Sequence, residues 1–225
     1  NIKFKRYNKK SIKTYSEFHS KKILQSYGIK IPKSILSNLK QAVKDSKKIG
    51  FPVVIKINSN KIFHKTEIKG VFSNINSITE VKKSLKHLSK LGKEILIEKM
   101  IEDQVIEMII GIKIDDQFGP VIIVGAGGIY TELMNDSVTL LLPLKKSIIL
   151  KAIKELKINE LLKGYRGRPK GDIEAVVQTI MKLGKFAEKN ASRLIEVDIN
   201  PLIVRSRGKG VIAADVLIHY LEEIK

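Results

Sequence analysis

The chain has 225 residues, 43% of them hydrophobic, a length and apolar content that fit one large domain or two closely joined smaller ones with a real core. It has no cysteine and only four scattered histidines, which excludes disulfides, thiol catalysis and cysteine-ligated zinc and makes oxygen the expected ligand of any metal. The formal charge of +19 raises nucleic acid as a partner, but the lysines are dispersed, 6% of residues are aromatic and Trp is absent, so the charge reads as solvated surface and no nucleic acid is expected.

Residues 1–15 are basic and lack clean periodicity, and read as an extension or linker. They have no apolar core of a secretory signal, and no run in the chain approaches the ~20 apolar residues that cross a bilayer, so a cytoplasmic protein with no membrane contact is expected. The first residue is not methionine, which leaves open that the chain is trimmed or cut from a longer polypeptide. From Ser16, a plausible N-cap, Phe18, Ile23, Leu24 and Tyr27 fall on one helical face up to Gly28. An extended segment around Ile35 and a helix from about Asn38 to Ile49 follow.

Gly50 and Pro52 end that helix and open the β-branched run Val53 to Ile57, a buried strand. Within it Lys56 points opposite to its apolar neighbours, and the polar loop that follows carries His64 and Lys65 before Gly70. A fixed ammonium beside an imidazole with an unperturbed pKa near ~6.5 suits an anionic substrate and phosphoryl exchange. The bland alternative is a strand-end lysine and a loop histidine in solvent.

Val71 to Ile75 is expected to be extended, and Ser77-Ile-Thr-Glu80 is a capping box opening a helix to Leu91. Glu94 to Lys99 and Val105 to Ile114 read as strands. Glu98 stands where the first becomes a connection. The strand Val121 to Val124 runs into Gly125-Ala-Gly127-Gly128 and Glu132; such a turn either lets backbone N–H groups approach an anion or is a tight turn or bulge. It is neither a P-loop nor a dinucleotide fingerprint. Ser137 to Leu144 is extended and a helix spans about Lys146 to Leu162. Arg166, in the loop after it, is either an anion clamp or an exposed arginine. Asp172 caps a helix ending near Asn190.

The last section is a hairpin around Gly208 to Gly210. Asp198 and Asn200 are two apart on one strand and share a face, and Asp215 lies on the partner. An aspartate between valine and isoleucine in an apolar strand favours an oxygen site for Mg²⁺ over pairing with lysines.

In order, SEFHSKKILQSYGIKIP, GFPVVIKI with FHK, IEKM, IEMIIG, QFGPVIIVGAGGIYTEL, GYRG, EVDINPLIV and AADV resemble the ATP-grasp β subunit or domain of the ADP-forming acetyl-CoA synthetases, relatives of the succinyl-CoA synthetase β subunit. The resemblance covers about Ser16 to Leu221. It implies an α/β (α+β) ATP-grasp fold of two subdomains with the nucleotide between them, a domain of residues 16–225 divided into about 16–97 and 98–225. It also implies reversible conversion of acyl-CoA, ADP and phosphate to acid, CoA and ATP with Mg²⁺.

In that family a CoA-binding α partner forms an acyl-phosphate and then a phosphohistidine, and a β-subunit histidine passes the phosphoryl group to ADP. By resemblance His64 is that histidine, Lys56 the phosphate-contacting lysine, and Glu98 with the backbone around Met100 the adenine and ribose hinge. Glu107 is an acid near the nucleotide, and Gly127, Gly128 and Glu132 face the α subunit and relay site. Asn200 and Asp215 match Mg²⁺ ligands, while Asp198 stands where glutamate is frequent. The loop after Lys56 is less glycine-rich than in many ATP-grasp enzymes. A hetero-oligomer, a heterotetramer in the family, is expected; the acid used, ADP against GDP preference and subunit stoichiometry are not legible. The alternative is the ATP-grasp domain of a fused acyltransferase or another carboxylate ligase.

Overall fold

The computed structural model describes residues 12–62, 65–128 and 136–222. Val53–Ile57 (β3), Val71–Ile75 (β4) and Glu94–Lys99 (β5) are strands with the bounds that their apolar and β-branched runs predict. The chain divides into two compact units: residues 16–19 with 32–102, and the described parts of 1–15, 20–31 and 103–225. The boundary at 102/103 lies beyond the 97/98 division read from the sequence, and 20–31 joins the later unit.

In the first unit, β2 (Ser34–Asn38), β5, β3 and β4 form an antiparallel sheet in that order. Alternation sends Ile55, Ile57, Ile95 and Ile97 into a core closed by Ala42 and Ile49 of α2 (Ala42–Ile49) and Val81 and Leu88 of α3 (Ile78–Leu88). The same period puts Lys56 and Glu98 on the opposite face. α2 begins later than expected because Asn38 ends β2 and its side chain accepts from the amides of Lys40 (2.9 Å) and Gln41 (3.1 Å), turning the chain first. The Ser77 hydroxyl accepts from Glu80 N at 3.2 Å, as the capping box predicts, whereas the Glu80 carboxylate accepts from Asn76 N at 2.7 Å.

The second unit is built on a seven-stranded antiparallel sheet. Its order is β1 (Ile12–Thr14), β11 (Val216–Leu221), β9 (Leu194–Arg205), β6 (Gln104–Asp115), β7 (Gly119–Ala126) and β8 (Ser137–Leu141), with β10 (Val211–Ala213) also paired to β9. Met108, Ile110, Ile122, Val197 and Ile199 form one side of its core. Ile149 and Ile153 of α4 (Lys146–Glu155), Leu162 of α5 (Asn159–Leu162), and Ile180, Leu183 and Phe186 of α6 (Ile173–Asn190) close it. Alternation turns Glu107, Lys113, Glu196 and Asp198 away from that core.

Two expectations are corrected. Ile12–Thr14, read as part of a linker, pairs with β11 through Ile12–Leu221 and Thr14–His219. The single helix expected over 146–162 is two, because the buried Asp136 carboxylate accepts from the amides of Lys157 and Ile158, each at 2.8 Å, and Leu156 leaves helical geometry.

Asp172 caps α6 as predicted, accepting from Ala175 N at 3.1 Å, and its other oxygen accepts from the amides of Gly208 (2.9 Å) and Gly210 (2.8 Å). Asp172→Ala removes a cap and leaves these donors without their acceptor. It is expected to cost about 2–4 kcal/mol in urea unfolding. A loss below about 0.5 kcal/mol, within the ordinary range for surface substitutions, would show that the carboxylate is not holding the two segments.

Candidate active site

Among the described residues, four buried charged side chains meet on the first unit's sheet. Lys56 is 6% exposed, Glu98 2%, Glu17 2% and Lys65 7%. Lys56 and Glu98 share a face because Lys56 pairs with Leu96 and Val54 with Glu98, a diagonal arrangement that lets the Lys56 ammonium reach Glu98 Oε2 at 3.2 Å. Glu17, in the first turn of α1 (Glu17–Ser26), accepts from Lys56 on Oε1 at 2.6 Å and from Lys65 on Oε2. Two cations and two anions therefore balance where water is largely excluded. Lys56 and Glu98 stand out in the sequence and Glu17 does not, because its two lysines lie far along the chain.

Both flanks of residues 59–64 are tied down. Asn58 accepts from Phe18 N at 3.2 Å and donates to Glu94 at 2.9 Å; the Gly70 amide donates to the Lys65 carbonyl at 2.6 Å. His64 itself, like Glu132, lies outside the described residues. The segment at the end of β5 is pinned as well: the Met100 amide donates to the Pro52 carbonyl at 3.1 Å and the Lys99 ammonium to the Phe51 carbonyl at 2.7 Å. The Met100 N–H is thus already engaged within the unit, a feature that depends on strand pairing and was not legible in the sequence.

In the second unit, Glu107, Gly127 and Gly128 come together in a cleft of about 300 Å³, with Val105, Leu161 and Arg168 also lining it. The glycines are there because the backbone approaches β6 closely. The Gly127 amide donates to the Glu107 carbonyl at 3.0 Å, and a Cβ on Gly127 would sit 2.7 Å from Met108 C. Gly128 has φ +62°, and a Cβ on it would fall 2.4 Å from Glu107 Oε2. Arg166 is exposed and lies over the Tyr165 ring at 5.2 Å, the commoner of its two readings.

On the same unit, Asp198 of β9 faces Gly111, which has no side chain to cover it, and Leu217 of β11. Asn200 N donates to the Asp215 carbonyl at 3.2 Å, so Asp215 lies just before β11 rather than within the partner strand. Burial, reinforced by Glu196 and Asp215 and opposed by Lys113, pushes the Asp198 carboxyl up to about 6. No cluster of three or more His, Asp or Glu side chains suited to a metal is present among the described residues. Two crowded carboxylates and the Asn200 amide do fit a hard cation that keeps several waters, and a cation would relieve the repulsion that raises Asp198.

The ATP-grasp domain family matches residues 6–219. The chain belongs to the ATP-grasp family. Its mixed α/β architecture is that fold. The β subunit of ADP-forming acetate–CoA ligase II from Pyrococcus furiosus is 33% identical over 212 residues, which cover 90% of this chain and 89% of that one. ADP-forming acetate–CoA ligase II from Archaeoglobus fulgidus is 38% identical over 205 residues, 90% of this chain but 30% of that protein, so the chain spans under a third of that relative. Acetyl-coenzyme A synthetase 1 of Ca. Korarchaeum cryptofilum, solved with coenzyme A and Ca-AMPCP, superposes with a TM-score of 0.85 at 34% identity, covering 93% of each chain. With Mg-AMPPCP, that protein's phosphohistidine segment points towards its nucleotide binding site. The homologues are acid–CoA ligases, and among the described residues no helix is long and apolar enough to cross a membrane.

Two predictions follow from the second unit's geometry. Gly127→Ala meets backbone and is expected to cost about 2 kcal/mol or more whatever its neighbours. Gly128→Ala meets the end of a side chain, so Glu107→Ala should recover all but the ~1 kcal/mol due to positive φ; equal rescue of both variants in urea unfolding would refute this packing. For Asp198, a folded pKa raised above the unfolded value means that metal-free stability is full below about pH 4 and falls as pH rises through 6. Asp198→Asn should stabilise the metal-free chain by about 2–3 kcal/mol above pH 6 and leave it unchanged near pH 4. Destabilisation at pH 7.5 would contradict this.

Proposed function

We propose that the chain is the nucleotide-binding part of an ADP-forming acyl-CoA synthetase, catalysing acyl-CoA + ADP + phosphate ⇌ acid + CoA + ATP with a CoA-binding α partner, and that His64 relays the phosphoryl group. The observation that carries this reading is the buried Lys56 ammonium, held by two carboxylates one loop before His64 in a chain whose similarity to a ligase β subunit extends over nearly its whole length.

In this account the α partner's phosphohistidine gives its phosphoryl group to the His64 imidazole: one N–P bond breaks and another forms. The His64 N–P bond then breaks as a β-phosphate oxygen of ADP attacks, giving ATP. Transfer of this kind needs charge neutralisation and alignment more than covalent work by other groups. Lys56 neutralises nucleotide phosphates. Glu98 and the segment around Met100 receive adenine and ribose, with acceptors or donors other than the Met100 N–H, which Pro52 occupies. Glu107 lies towards the nucleotide, and Gly127, Gly128 and Glu132 face the α partner and the relay histidine. Asp198, Asn200 and Asp215 would hold Mg²⁺, which when bound neutralises charge on the transferring phosphoryl oxygens. The assembly is a hetero-oligomer working in the cytoplasm, and the acid is selected mainly by the partner.

The test is ATP formation from acyl-CoA, ADP and phosphate by the chain with its α partner. Lys56→Met should weaken ADP binding by about 10- to 100-fold, the ~1.5–3 kcal/mol of a hydrogen bond to a charged group, and Asp215→Asn should raise the Mg²⁺ requirement. ATP formation at the wild-type rate and ADP affinity in folded Lys56→Met would sink the reading.

A further inference from the structure

Glu17 is a buried charged residue that the proposed reaction does not use. Its carboxylate accepts from two lysines, one on each oxygen: Lys56 on Oε1 at 2.6 Å and Lys65 on Oε2. One of these is the proposed phosphate-binding lysine, and the other adjoins His64 in sequence. Two ion contacts in different directions fix the plane of the carboxylate and therefore both ammonium positions. Glu17 is itself fixed, because the next amide along, Phe18 N, donates to Asn58 Oδ1 at 3.2 Å and Asn58 follows β3 directly.

Stability is a poor reason for such a group. Removing charges from water costs more than a buried pair ordinarily returns, and apolar side chains of similar volume would hold the sheet as well or better. Desolvated charges held in fixed positions gather where a ligand will use them. Glu98 already gives Lys56 one carboxylate at 3.2 Å; what Glu17 adds is a link from Lys56 to Lys65. Burial to 7% exposure makes Lys65, one residue after His64 in sequence, a fixed point at the start of the turn that ends at Gly70.

We propose that Glu17 is a positioning residue for phosphoryl transfer, one carboxylate that sets the nucleotide lysine Lys56 and, through Lys65, the chain adjoining His64. The proposal rests on the relay reading above. It predicts that losing Glu17 harms nucleotide binding and histidine phosphorylation together, whereas losing Lys65 harms only the second.

The experiment uses the chain with its α partner, Mg²⁺ and γ-labelled ATP. It measures the rate of acid-labile labelling of this chain, the ADP dissociation constant by calorimetry, and folding by circular dichroism. Glu17→Gln should slow labelling at least 10-fold and weaken ADP several-fold, with Glu17→Asp recovering part of both. Lys65→Met should slow labelling at least 10-fold with ADP affinity within 2-fold of wild type. Folded Glu17→Gln with labelling and ADP affinity within 2-fold of wild type overturns the proposal. If Glu17→Gln does not fold, Lys65→Met decides, and labelling at the wild-type rate there overturns it. If the wild-type chain itself takes no label, the relay reading fails; the Lys56 half of the proposal is then read from ADP affinity, and unchanged affinity in Glu17→Gln overturns it.

Discussion

The cost of desolvating charge governs the first unit. Lys56, Lys65, Glu17 and Glu98 are each less than a tenth exposed, so each cation is tolerable only because an anion touches it. The sheet supplies the means. β3 and β5 run antiparallel, and period-two alternation reserves one face for isoleucine and valine while turning Lys56 and Glu98 to the other. The start of α1 brings Glu17, and the turn ending at Gly70 brings Lys65, to that polar face. An anionic substrate of the kind proposed would meet ammonium groups already oriented, so little reorganisation would be required of the protein.

A different constraint shapes the second unit. Close approach of backbones at Gly127 and the positive φ of Gly128 beneath Glu107 leave no room for side chains, and this requirement is local to the start of β6. Further along the sheet, Asp198 is held near Glu196 and Asp215 with only glycine opposite it on β6. Burial and that crowding are unfavourable for the ionised Asp198 carboxylate in the metal-free chain. An aspartate at this place in an apolar strand is what the proposed cation site would require.

The sequence made some of this legible for identifiable reasons. Lys56 stands out because it interrupts a β-branched run, and β3, β4 and β5 could be bounded because strand patterning is local. The caps of α3 and α6 were readable because Ser77 and Asp172 act on residues three positions away. Features set by distant partners were not. Ile12–Thr14 becomes a strand only by pairing with β11, and the break between α4 and α5 depends on Asp136, twenty residues earlier in the chain. Glu17 was invisible as a site residue because its lysines lie far along the chain, as was the engagement of the Met100 amide by Pro52. The glycine loop was legible as a loop, but only geometry says that its glycines answer to the β6 backbone and to Glu107.

The central claim is that a phosphoryl group rests covalently on this chain between the α partner and ADP. The most direct measurement is acid-labile, base-stable label on the chain after incubation with Mg²⁺ and γ-labelled ATP, comparing wild type with His64→Ala under conditions where both bind nucleotide. The account predicts label on the wild-type chain and none on His64→Ala. Equal label on the two, or none on the wild type while Mg–ATP is bound and the α partner is active, would contradict it and favour direct transfer to a carboxylate.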